Sequence, residues 1–147
     1  MDDLNNSGPT FDWQHGYCHV FAVALHDALG YKLSGLQVDY EDKDTKFRYL
    51  PKGHVIEHVY AVSLDGEYFD SDGTVSPSEW ICGYRERGLR ARLRPLTRKQ
   101  IMKLSGKFRD RNFYEFDKDA YAKAIEVIES VPEKYKSWEI ATGEPVA

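Results

Sequence analysis

Cys18, His58 and Asp70 are the side chains of this sequence whose types combine into a reaction. A thiol attacks carbonyl carbon as its thiolate, an imidazole within reach takes its proton, and a carboxylate behind the ring sets the tautomer and steadies the charged form. That relay forms and breaks a thioester, so it serves hydrolysis of an amide or transfer of its acyl group. Cys18 lies far from the other two in the chain, and separate elements must bring them together.

The first element is a helix. In GYCHVFAVALHDALGY the apolar residues Phe21, Ala22, Leu25, Ala28 and Leu29 recur at helical spacing, and Gly30 is a stop signal. This places Cys18 in the first turn, on the buried face. There the unpaired N–H groups of the helix point at the sulfur and suit the oxyanion of an acyl-transfer intermediate.

The second element is a hairpin. HVYAV alternates His58, Tyr60 and Val62 with Val59 and Ala61, and Asp65-Gly66 marks the turn. With a loop of Leu64-Asp65-Gly66 and Gly66 left-handed, Ser63 pairs with Glu67, Tyr60 stands opposite Asp70 and His58 opposite Asp72. A two-residue loop would slip the register by one and send both carboxylates to the other face. The relay therefore requires the longer turn, and strand pairing leaves Asp72 open as the alternative carboxylate.

This arrangement resembles the papain-like cysteine hydrolase superfamily, nearest in pattern to its NlpC/P60 and transglutaminase-like branches, over Gln14 to Gly73. The resemblance implies a Cys at the head of a central helix, a His on a following strand and a third polar residue on the next strand of an antiparallel sheet: Cys18, His58 and Asp70. The hairpin length usual in NlpC/P60 proteins favours Asp70 over Asp72. Gln14 is the nearby candidate for the upstream oxyanion glutamine of papain, closer to the Cys than papain spacing sets it. Gly16-Tyr17 precedes the Cys where NlpC/P60 proteins usually carry Asp.

Other uses of the same residues compete. A lone Cys on an apolar helix face is often a small core residue, and Cys82, inside SPSEWICGYRERG, reads as a packing residue of a second helix. Zinc is the rival chemistry, with His15, Cys18, His19, His54 and His58 as donors. No CxxC accompanies Cys18, however, and no familiar zinc spacing is complete. We expect neither metal nor cofactor.

The frame is one α+β domain over 1–147: an N-terminal Cys-bearing helix packed on an antiparallel sheet, with a catalytic core over about 14–96 and a helical region over about 97–138. Residues 33–40 and 46–50 read as a hairpin leading into the His58 strand. Ser76 to Glu79 reads as a capping box with Pro77 at the first helical position, Arg90 to Leu96 as an edge strand, and Thr97 to Gln100 as a second capping box with Leu96 and Ile101 as its staple. Tyr121, Ala124, Ile125 and Ile128 give a last helix one apolar face, and Pro132 stops it. No apolar run is long enough to cross a membrane, and MDDLNNSGPT has neither the basic start nor the hydrophobic segment of a signal peptide. Two cysteines and a reactive thiol suit a reducing compartment, so the expected location is cytoplasmic, or reached through a signal-independent secretion route, as for an effector or phage-encoded enzyme.

Charge is sharply segregated. Between Arg85 and Arg111 eleven basic residues face only Glu86 and Asp110, a local charge of +9, so a net −4 for the chain leaves −13 elsewhere. Arg85, Arg87, Arg90, Arg92, Arg94, Arg98 and Lys99 are the candidate anion-binding surface, for an acidic protein or nucleic acid. No aromatic residue interleaves Arg85 to Lys107. The expected function is cysteine-dependent hydrolysis or acyl transfer on a peptide or protein amide (peptidase, amidase or deamidase). The alternative is a non-enzymatic binding module of the same fold using the basic surface.

Overall fold

The computed structural model describes Phe11, Trp13 and residues 17–39, 54–104 and 116–136. Helix α1 (Cys18–Leu29) is buried all round over its first two turns, Cys18 through Leu25, with His19 the one polar side chain among them. Such a helix needs cover on both flanks. On one side lies a sheet of five strands, β1 (Lys32–Asp39), β2 (His54–Val62), β3 (Tyr68–Asp70), β4 (Gly73–Val75) and β5 (Arg90–Leu96). Their spatial order is β4-β3-β2-β1-β5, and every pairing is antiparallel. On the other side lies α4 (Lys118–Ser130), whose Ala120, Ala124 and Ile128, at helical spacing, are its buried residues.

Alternation along the strands sorts the core into layers. Ala61 and Phe69 pack with Phe21, Ala24 and Leu25 of α1 and with Ala124 and Ile128 of α4. Leu33, Ile56 and Val59 pack with Cys18, Ala22, Val23 and Ile101. The reverse face presents Leu36, Val38, Tyr60 and Ala91 to α2 (Pro77–Glu86), through Ile81 and Tyr84. Burying a side chain such as Phe21, Phe69 or Leu25 contributes about 1.5–3 kcal/mol each, so the sandwich around α1 is the mechanical base of the molecule. The chain is thus α+β, with the Cys-bearing helix first, an antiparallel sheet, and further helices after it.

Local signals explain most element ends. Gly30, at φ 76°, closes α1, its N–H bonded to the His26 carbonyl at 2.9 Å. Before α3 (Arg98–Leu104), Thr97 and Gln100 form the reciprocal capping box at 3.1 and 2.9 Å, and Leu96 and Ile101 meet in one cluster. Asp117 caps α4 by accepting from the amides of Asp119 and Ala120. Residues 132–135 then form a short 3₁₀ turn opened by Pro132.

Two expectations fail. Ser76 makes no side-chain cap for α2; its Oγ lies 3.1 Å from Ser78 Oγ, and Glu79 N–H donates to the Ser76 carbonyl instead. Cys82 is exposed rather than packed, because α2 leans on the sheet through Pro77, Ile81 and Tyr84, which leaves residue 82 outside that face. The strand expected over 46–50 lies outside the described residues. No described helix is long and apolar enough to cross a membrane.

Candidate functional site

Cys18 is the first residue of α1. Tyr17 precedes it with φ −116° and ψ 11°, and its carbonyl accepts from Val20 and Phe21 at 3.1 and 3.2 Å. Among the described residues no side chain caps this end, and no acidic residue lies in the first turn. The positive end of the helix dipole is therefore left for an anion forming beside it. The approach is held by stacked rings: Phe11 edges onto Tyr17 with centroids 5.1 Å apart, and Trp13 edges onto Phe21 at 5.1 Å. Gln14 lies outside the described residues.

His58 stands where β2 is irregular. Leu36 pairs with His58 but Gln37 pairs with Ile56, so β2 carries one residue more than β1 at Glu57. A bulge of this kind bends the strand and re-aims the neighbouring side chain. Among the described residues, no group of three or more His, Cys, Asp or Glu side chains is placed to hold a metal ion.

Asp70 reaches His58 through the register expected from the longer turn. Ala61 pairs with Phe69 and Val62 with Tyr68, Ser63 N–H donates to the Glu67 carbonyl at 2.9 Å, and Gly66 has φ 89°. The Ser63 hydroxyl ties the loop further by donating to Asp65 and accepting from the Glu67 amide. His58 Nε2 then lies 3.2 Å from Asp70 Oδ2, with both side chains largely buried. Asp70 Oδ1 accepts the Asp72 amide at 2.8 Å, which folds the chain into β4, where Asp70 pairs with Gly73. Straight continuation would have set Asp72 opposite His58; the reversal at Ser71 and Asp72 leaves Asp72 exposed instead.

The Cys18 side chain lies within electrostatic reach of the same imidazole. Burial is the largest influence on His58 and opposes its charging. The charge on Cys18, the hydrogen bond to Asp70, the closeness of the Cys18 side chain and the charge on Asp70 together outweigh it, and the pKa is pushed up to about 10. Tyr60, two residues on, lays its ring edgewise against the imidazole with centroids 4.6 Å apart. Burial, followed by the charges of Asp70 and Cys18, raises the pKa of that phenol, so it stays neutral. Tyr60 was legible as a same-face neighbour of His58, yet reasoning from residue types alone passed over it.

The basic residues divide into two groups. Arg85 donates to the Ala91 carbonyl at 3.0 Å, Arg94 to Gln37 Oε1 at 2.9 Å, and Arg98 grips both oxygens of Asp27 at 3.2 and 3.0 Å. Arg87 lies over the Tyr84 ring, 4.9 Å from its centroid. Arg90, Arg92 and Lys99 are exposed and form no ion pair among the described residues. A groove of about 630 Å³ runs along α2 between Glu79, Trp80, Gly83, Tyr84 and Arg87. A second, of about 440 Å³, is lined by Arg85, Gly88, Leu89, Arg90, Ala91 and Arg92. The aromatic company missing inside the basic run is thus supplied by the preceding helix, with Trp80 60% exposed.

No known protein family, curated protein or solved structure matches the chain.

Proposed function

We propose that the protein is a cysteine-dependent amide hydrolase or acyltransferase with a papain-like arrangement of Cys18, His58 and Asp70. The observation that carries this reading is a single imidazole hydrogen-bonded to a carboxylate through Nε2 and within electrostatic reach of a thiol in the first turn of a helix. In this mechanism His58 takes the proton of Cys18, and the sulfur attacks the amide carbon. The carbonyl π electrons move to oxygen, and the oxyanion rests against the amides that open α1. Collapse expels the amine, which takes the proton from His58. Water, deprotonated by His58, cleaves the thioester to acid and thiol; an amine in its place gives acyl transfer. With a glutamine side chain as substrate the leaving group is ammonia, and the outcome is deamidation. Asp70 keeps the imidazolium in line throughout.

The test is iodoacetamide alkylation at neutral pH, mapped separately to Cys18 and Cys82. Cys82 is exposed and Cys18 only 3% exposed, so access alone favours Cys82. Faster reaction at Cys18, slowed by His58→Ala, supports the pair. A Cys18 slower than Cys82 and indifferent to His58 sinks it.

A second reading keeps the fold without the chemistry. Trp80, Tyr84 and Arg87 share one groove, a composition suited to gripping an acidic peptide or a nucleic-acid strand. Binding of an oligoglutamate or oligothymidine probe that weakens steeply with salt and survives Cys18→Ala supports it.

A further inference from the structure

The turn that carries Asp70 is held from outside by the C-terminal 3₁₀ segment. Tyr135 donates its hydroxyl to the Ser71 carbonyl at 2.7 Å, across 64 residues of chain. Its own carbonyl accepts the Tyr31 hydroxyl at 2.7 Å, its ring lies 5.3 Å from that of Phe21, and the residue is fully buried. Beside it, the Lys134 carbonyl stands 3.1 Å from where a Cβ on Gly73 would sit, and Gly73 has φ 95°. The reversal at Ser71 and Asp72 is therefore clamped between the Asp70 carboxylate inside and the 132–135 segment outside.

This clamp bears on the relay because the His58–Asp70 contact has little slack. At 3.2 Å it is already longer than the roughly 2.7–2.9 Å usual for a charge-assisted bond. A small outward movement of Ser71 opens it. We propose that Tyr135 is a positioning residue for Asp70, acting through the Ser71 carbonyl to keep the carboxylate on His58. The proposal rests on the Cys18–His58–Asp70 reading. Burial, helped by the charges of Asp72 and Asp70, pushes the Tyr135 pKa up to about 12, so its hydroxyl remains a donor across the working range.

The experiment compares full-length wild type, Tyr135→Phe and Tyr121→Phe. Tyr121 donates to Asp27 at 2.7 Å on another part of the molecule, so its variant loses a similar bond without touching the turn. Two quantities are read: the His58 titration by imidazole NMR, and the rate of Cys18 alkylation by iodoacetamide at pH 7. The expected result is a His58 midpoint lower by about one pH unit in Tyr135→Phe, a tenfold change in its proton affinity, with Cys18 alkylation slowed several-fold. Tyr121→Phe leaves both unchanged. Gly73→Ala, which strains the same turn from within, gives the same shift and serves should Tyr135→Phe not fold. A Tyr135→Phe protein that melts earlier but titrates and alkylates as wild type overturns the proposal, for the hydroxyl is then structural only. A wild-type His58 titrating near 6.5, with Cys18 slower than Cys82, overturns the underlying reading before any variant is made.

Discussion

His58 and Asp70 meet diagonally across the β2–β3 hairpin, Nε2 to Oδ2 at 3.2 Å, while Asp72, the residue that straight pairing would set opposite His58, is turned out to solvent. The carboxylate is chosen by where the strand stops. Asp70→Asn keeps a hydrogen-bonding group but removes the charge, and amide turnover is expected to fall on the order of 10²–10⁴-fold. Asp72→Asn should stay within a few-fold of wild type. Turnover of a chromogenic acyl substrate by both variants checks this, and the reverse ranking would move the role to Asp72.

On the proposed mechanism the raised pKa of His58 sets the alkaline limit of turnover. A group whose folded pKa is lifted from 6.5 to about 10 keeps its proton through neutrality and gives it up as pH rises through about 10. Protonation of the leaving amine therefore fails on that limb. In Asp70→Asn, which deletes the carboxylate charge that helps hold the proton, the limb is expected to move to lower pH. A pH–rate profile for single-turnover acylation measures the shift.

Asp27 gives the opposite sign at the acid end. Burial opposes its ionisation, but the hydrogen bonds from Arg98 and Tyr121 and the Arg98 charge win, and its pKa is lowered from 3.8. A depressed carboxylate contributes stability above its unfolded pKa and loses it as pH falls through the folded one. Because the pair is substantially exposed, Asp27→Asn should cost under about 1 kcal/mol at pH 7 and less at pH 2, as the carboxylate takes up its proton. Denaturant titrations at the two pH values provide the comparison.

Ile128 is the buried residue that seats the last turns of α4 on α1. Ile128→Ala should destabilise by about 2–5 kcal/mol, through lost burial and the cavity left behind. Urea unfolding will show it as a lower midpoint at unchanged slope.

Legibility followed the range of the interactions. Leu64-Asp65-Gly66 announced its turn because one left-handed glycine and one serine hydroxyl settle the register locally. Thr97 and Gln100 closed their box for the same reason, whereas Ser76 and Glu79 carry the same signature and did not, since Ser76 found Ser78 instead. The extra residue at Glu57 has no sequence mark: both sides of it look like ordinary alternation, and only the fit of β2 against β1 reveals it. Cys82 was misjudged because burial on a helix depends on which face the sheet claims. Tyr135 lies beyond any local rule, its partner being 64 residues away.

Cys18 through Leu25 are buried without a break, between the sheet on one side and α4 on the other. The hydrogen-bonded amides in the middle of such a helix are expected to exchange through the largest openings of the structure. The place of the sulfur beside His58 therefore depends on the packing of the whole helix. Once heating takes α1 out of the core, Cys18 is expected to lose both its cover and its imidazole and to alkylate as Cys82 does, so the contrast between two thiols becomes a gauge of the integrity of the entire molecule.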